Sequence, residues 1–266
     1  MPGPNEITPQ QLNRLIGTPE CPVIVDICTD EDFAADPRLI PTALRWDHGD
    51  PAGLARHIGT QRAVIACQKG KKLSQGLTSW LRSEGVMAEN LSGGVAAWFE
   101  LPGAQAVPAA AIPANAVWVT RHRPKIDRIA CPWLIRRFVD RRARFLFVAP
   151  SEVQAVAERF DATPFDITGA KYSHRDDGCT FDAMLEAFGL RSAALDRLAT
   201  IIRAADSNRH DLAPQAAGLL AVSVGLSRQY KDDHQQLEAG LWLYDALYRW
   251  ARDGHEETHN WPMGHT

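Results

Sequence analysis

Apolar positions fall into two regimes along the chain. In the first hundred residues, short apolar runs alternate with stretches of helical spacing. Val23-Ile24-Val25 and Ala63-Val64-Ile65-Ala66 are unbroken and rich in β-branched residues. Such runs predict strands buried on both faces. Residues 9–16, 53–58 and 73–83 place apolar side chains three and four apart, the spacing of helices. Strands alternating with helices imply an α/β unit with a mostly parallel sheet and helices on both faces.

Beyond residue 116 the pattern becomes mainly helical. Residues 117–120 and 145–148 read as strands. Between them, 132–139 reads as a helix with Pro132 in its first turn, where a missing N–H costs nothing. Helical spacing recurs over 153–160, 181–188, 193–205, 216–224 and 237–250. The second unit is therefore expected to be mainly α, of α+β type. The two regimes meet in LPGAQAVPAAAIPANA, residues 101–116, uncharged and almost all small or Pro. Pro fixes φ and small side chains cannot build a core, so this stretch reads as a linker. The expected organisation is an α/β domain over 1–105, a linker over 106–116, a second domain over 117–253 and a polar, His-rich tail over 254–266. Each domain is expected to fold as a unit.

Composition narrows the functions. The chain has 266 residues, 45% hydrophobic and 23% charged, as a folded protein does. A net charge of -3 gives no basic field for nucleic acid. No run of 18 apolar residues suggests a membrane span, and no basic, apolar leader opens the chain. A cytoplasmic location and no membrane partner are expected. Five cysteines without a CxxC pair do not make a disulfide framework. A cysteine that matters here is expected to be a reactive thiol.

The sharpest candidate is Cys67, in Cys67-Gln68-Lys69-Gly70-Lys71-Lys72, between an expected strand and an expected helix. A loop in that position can turn its backbone N–H groups onto the sulfur, and the helix adds the positive end of its dipole. Three lysines add charge, and Gly70 gives the loop its freedom. All of this favours thiolate, the nucleophilic form. The bland alternative, a small buried hydrophobe at a strand end, fits a loop this polar and basic poorly. Cysteine phosphatases clamp phosphate with an arginine six positions after the nucleophile; here that position is Leu73. Persulfide chemistry needs no such clamp, only N–H groups around a sulfane sulfur and some positive charge.

On these residues the first segment resembles a rhodanese domain. Val23-Ile24-Val25-Asp26-Ile27 is similar to that family's early strand ending in Asp. CQKGKKLSQGLTSWLRSEG is similar to its active-site loop and helix, and Asn90-Leu91-Ser92-Gly93-Gly94-Val95-Ala96-Ala97-Trp98 to its closing motif. The resemblance spans roughly residues 5–103. It implies that Cys67 accepts sulfur, that residues 68–72 cradle it, and that Asp26 supports the loop. It also implies a small-molecule sulfur donor, a thiophilic acceptor and no cofactor for the transfer. Cys28 and Gln68 stand where the family often has arginine. Cys28 is expected to pack rather than to resolve a disulfide.

The second segment carries six Arg or Lys residues between Arg121 and Arg137, close to a helix start. Helix N-termini and Arg forks bind oxyanions, but a solvated basic face or structural ion pairs account for the run equally well. Downstream, His174, Asp206 and the Lys231-Asp232-Asp233-His234 turn lie at element ends. Imidazole and carboxylates from separate loops could take a divalent Mn, Fe or Zn ion, although such residues also cap helices. His255-Glu256-Glu257-Thr258-His259 matches the H-E-x-x-H pattern of zinc peptidases. It is discounted, because that motif needs a buried helix and a third ligand.

The long motifs RPKIDRIACPWLIRRF, FDITGAKYSHRDDGCTF, IIRAAD and LYDALYRW resemble the C-terminal domain of the chromate resistance ChrB-type family, over residues 118 to roughly 253. The resemblance implies a link to chromate or oxidant stress, with chromate or another oxyanion as a partner. It marks Asp127, Arg128, Trp133, His174 and Asp206 as site candidates, Arg128 for substrate and His174, Asp206 and Asp127 for a metal. The reading for the whole chain is sulfur transfer through a Cys67 persulfide. Its rival is a chromate or redox sensor, or a metal-dependent redox protein to which the first domain is accessory.

Overall fold

The computed structural model describes residues 3–175 and 177–257. The first unit contains β1 (Glu6–Ile7), α1 (Pro9–Asn13), β2 (Val23–Asp26), α2 (Asp30–Ala35), β3 (Arg38–Leu39) and β4 (Leu44–Arg45). It continues with α3 (Pro51–Ile58), β5 (Ala63–Ala66), α4 (Lys72–Ser83), β6 (Ala88–Leu91), α5 (Gly94–Phe99) and β7 (Val107–Pro108). Five strands form a parallel sheet in the order β1-β6-β5-β2-β4. The two apolar runs, β2 and β5, lie in its interior and are buried along their whole length. Their side chains alternate between two cores. Val23, Val25, Ala63 and Ile65 meet Leu54, Leu77 and Leu81 of α3 and α4 on one face. Ile24, Val64 and Ala66 point the other way.

The second unit holds β8 (Val117–Arg121), α6 (Asp127–Leu134), β9 (Arg144–Val148), α7 (Val153–Phe160) and β10 (Thr163–Pro164). Four helices follow: α8 (Thr180–Phe188), α9 (Ala193–Asp206), α10 (Ala216–Gln229) and α11 (Asp233–Arg249). The strands make a small parallel sheet, β10-β8-β9, and the rest is mostly helical. Val117 and Val119 of β8 pack on Val153 and Ala157 of α7. Trp118, on the opposite face, meets Phe165, Tyr172 and Phe188.

Two expectations need correction. The helix around Pro132 begins five residues earlier, at Asp127, and Pro132 lies inside it. The turn after it widens to π geometry over Ile135–Val139, with Asp140 N–H reaching back to the Ile135 carbonyl. Pro132 lacks the N–H that would reach the Arg128 carbonyl, so the ladder misses one rung there, ahead of the π turn.

The stretch 106–116 is not a free spacer. Val107 is buried, β7 pairs antiparallel with β3, and residues Ala109–Ala111 form a 3-10 turn. Gln105 just before it exchanges hydrogen bonds with the Arg191 backbone, and its carbonyl accepts from the Trp98 indole. The sheet face bearing Ile24, Val64 and Ala66, with Ile7, Leu12 and Trp98, joins Trp133, Phe138, Ile202 and Tyr248 in one continuous apolar core. Further bonds tie the units. Arg141 donates to the Cys21 carbonyl at 2.8 Å, and Thr42 N–H donates to the Phe138 carbonyl at 3.2 Å. Small uncharged residues looked like slack, yet small size also lets backbone approach backbone closely.

Candidate functional site

The first site lies at the C-terminal end of β5. Cys67 follows directly, and the chain turns through residues 68–71 before α4. Its sulfur lies 3.1 Å from the Ser74 hydroxyl and is buried. Burial alone would raise the thiol pKa. It is outweighed by the Ser74 hydroxyl and the backbone N–H groups of Ser74, Lys71 and Lys69, so the pKa falls below that of a free thiol. Lys69, Lys71 and Lys72 themselves are exposed. The cradle is made by their backbone more than by their charge, a refinement of the expectation from sequence.

The closing Gly-Gly motif locks this loop. Gly70 has φ 63° and Gly94 φ 66°, both left-handed. A Cβ at Gly94 would run into the Cys67 and Gln68 carbonyls, and one at Gly70 into the Leu91 carbonyl and the Gly94 nitrogen. Val95 and Ala96 N–H donate to the Cys67 and Gln68 carbonyls at 3.0 and 3.1 Å. Asn90 donates its amide to the Gly70 carbonyl at 3.2 Å. Asp26 accepts the Cys28 N–H at 2.8 Å and so shapes the neighbouring strand end. Burial, followed by the Asp26 charge, pushes the Cys28 thiol upward, which makes it a poor nucleophile. A hollow of about 150 Å³ opens beside Gln68, lined also by Asp26, Cys28, Arg38 and Phe99. Arg38 is paired with Asp36 at 2.6 Å.

A second constellation lies in the other unit. His174 Nε2 lies 3.3 Å from Asp127 Oδ2, 3.4 Å from Asp166 Oδ1 and 3.2 Å from Asp206 Oδ2. Each group comes from a different place: Asp127 opens α6, Asp206 ends α9, and Asp166 and His174 flank the loop before α8. Asp127, 1% exposed, accepts the Thr180 N–H at 2.6 Å and the Phe181 N–H at 3.3 Å. It thereby supplies the cap that α8 needs. Asp166 accepts from the Thr180 hydroxyl at 3.0 Å and from Arg121 at 2.8 Å, with Arg128 at 3.3 Å. Ile126 (φ 45°) and Asp166 (φ 53°) hold left-handed backbone, which costs a β-branched residue about 1–3 kcal/mol.

Charge follows the geometry. Contact with Asp127, then the charges of Asp206 and Asp166, raise the His174 pKa to about 9 against the effect of burial. Burial, then repulsion from Asp127 and Asp166, raises Asp206 to about 6. Of the residues singled out from sequence, Asp127, Arg128, His174 and Asp206 are brought together. Trp133 is not part of the group. It is fully buried among Phe138, Phe181, Tyr244 and Tyr248, its indole N–H donating to Asp245 at 2.8 Å, and it is a core residue. His234 is exposed and packs against Phe147. His259, and with it the end of the H-E-x-x-H pattern, lies outside the described residues. Asp166 was missed, although it stands in the quoted FDITGA motif and is the only carboxylate there.

A five-stranded parallel α/β unit with a cradled cysteine, packed on a mostly helical unit with a His–Asp cluster, defines the class. Residues 118–251 match the family model described as "ChrB, C-terminal domain". That is half of the chain, and the chain belongs to this family. The curated protein ChrB of Cupriavidus metallidurans is 36% identical over 132 residues, which are 49% of this chain and 39% of that protein. The match thus spans well under half of that relative's length. Solved structures similar to the first unit include a rhodanese-like domain protein from Staphylococcus aureus. It is 26% identical, over 35% of this chain and 90% of that chain, with a TM-score of 0.32. Another is a thiosulfate sulfurtransferase from Pseudomonas aeruginosa, 23% identical over 40% of this chain and 19% of that chain, with a TM-score of 0.33.

Proposed function

We propose that the protein is a sulfurtransferase that carries sulfane sulfur as a Cys67 persulfide, in the setting of chromate or oxidant stress that its family resemblance implies. One observation carries the reading: a thiol at a strand end, ringed by the N–H groups of Lys69, Lys71 and Ser74, with its pKa lowered despite burial. In a first step the Cys67 thiolate attacks the outer sulfur of a donor such as thiosulfate. The S–S bond of the donor breaks, sulfite leaves with its electron pair, and a Cys67 persulfide remains. In a second step a thiophilic acceptor, cyanide or a thiolate, attacks the outer sulfur and the Cys67 thiolate is released. The N–H ring that favours the thiolate also favours the persulfide anion, so the carrier state and the resting state are held by the same groups. No metal or organic cofactor enters either step.

Thiosulfate treatment followed by mass spectrometry of the intact chain tests this. The wild type gains one sulfur atom, a subsequent cyanide treatment removes it as thiocyanate, and Cys67→Ser gains none. A wild type that alkylates at Cys67 but neither takes up sulfur nor turns over would replace this reading with a thiol switch.

A further inference from the structure

We propose that Asp127, His174 and Asp206 form a divalent-cation site in the second unit, distinct from the Cys67 cradle. Three observations carry it. The first is spacing. One oxygen from each carboxylate and the His174 nitrogen all lie within 4.8 Å of one another, with nitrogen–oxygen separations of 3.3 and 3.2 Å. Ligands at roughly 2.0–2.2 Å from a common ion stand roughly 3.0–3.6 Å apart in tetrahedral or octahedral geometry. Charge-assisted hydrogen bonds are shorter, about 2.7–2.9 Å.

The second is hydrogen count. His174 Nε2 faces three carboxylates, Asp166 included, at 3.2–3.4 Å. An imidazole nitrogen carries at most one hydrogen and can satisfy one of them. A dication has no such limit.

The third is charge. Asp166 is matched by two guanidinium groups, Arg121 and Arg128. Asp127 and Asp206 are not. Among the described residues, the only cationic side chain within ion-pair distance of either is His174. Once an ion displaces the His174 proton, two carboxylates with a neutral imidazole carry the charge that one divalent ion offsets. The donors are also set in advance: Asp127 is fixed by the α8 backbone, Asp206 by the end of α9.

Two oxygens and one nitrogen suit a first-row ion of the Mn, Fe or Zn kind rather than a soft, thiolate-seeking one. Cys131 and Cys179 are buried, but neither sulfur falls within the cluster of donor atoms formed by Asp127, His174 and Asp206. The His174 side chain is 46% exposed, which leaves one side of the site open to water or an exchangeable ligand.

The test uses the full chain, free of any affinity tag and stripped with a chelator, titrated calorimetrically with MnCl2 and separately with ZnCl2. The wild type takes up one equivalent of at least one ion. His174→Ala and Asp206→Asn each weaken it tenfold or more while circular dichroism is unchanged. His174 is half exposed, so its variant tests the site without a folding penalty; Asp127 is avoided because it caps α8. Cys67→Ser keeps full uptake, which separates this site from sulfur transfer. A His255→Ala/His259→Ala variant also keeps it. No stoichiometric uptake by the wild type, unchanged affinity in both site variants, or loss on the tail substitutions alone would each overturn the assignment.

Discussion

At the scale of single residues, Cys67 owes its character to neighbours that are short rather than charged. Ser74, in the first turn of α4, contributes both its hydroxyl and its N–H to the sulfur. Ser74→Ala therefore moves the pH profile of iodoacetamide alkylation at Cys67 upward, toward that of a free thiol. Lys71→Ala with Lys72→Ala moves it less, because both side chains are exposed and both backbone N–H groups survive. An equal or larger shift in the lysine variant would show that charge, not the cradle, holds the thiolate. Cys67 itself was legible in the sequence, since a polar, basic loop after a β-branched run is an unusual place for a cysteine. Ser74 was not, because a serine in the first turn of a helix usually serves the backbone. Asp166 escaped for a related reason. Its importance comes from a two-residue strand and a left-handed turn, neither of which has a periodicity to read.

Elements show where pattern serves and where it fails. Strands β2, β5 and β8 were readable as apolar runs because they are buried along nearly their whole length, and β9 and α7 from apolar spacing alone. The start of α6 was not. Pro132 carries the usual signature of a first turn, yet the helix opens on Asp127 behind Ile126, whose carbonyl accepts from the Tyr244 hydroxyl at 3.1 Å. That anchor comes from α11, more than a hundred residues away, and local sequence cannot announce it. The same Asp127 connects α6 to α8 by accepting two N–H groups at the α8 N-terminus. Asp127→Ala leaves both without that partner and costs about 1–3 kcal/mol in urea unfolding. An unchanged midpoint would mean that water replaces the carboxylate and that the cap contributes nothing.

For the whole molecule, the α/β and mostly helical halves were foreseen, but not the way they meet. The apolar sheet face of the first unit, with α1, α5 and Phe33 of α2, belongs to one apolar core with helices of the second unit. A chain cut at Gly103 loses the second unit's part of this shared core, including the Phe138 and Tyr248 rings against Gly17, and is expected to be aggregation-prone. The intact chain is expected to unfold in one calorimetric transition. Two separated transitions, or a soluble and active fragment 1–103, would show that the shared core is dispensable. Composition misled at the junction because Ala and Pro are read as slack, whereas Val107 among them is buried in the common core and β7 completes a two-stranded pair. No helix among the described residues is long and apolar enough to cross a membrane.

The close approach at Gly17 shows what that union means for the exchange of parts. A side chain there would strike the rings of Phe138 and Tyr248, so the first unit is shaped to this particular partner at a single carbon atom. Another domain of the same fold, grafted in its place, would need the same bare backbone at that turn. A substitution in either half that shifts this contact disturbs the packing of the other, so the joint constrains both sequences at once.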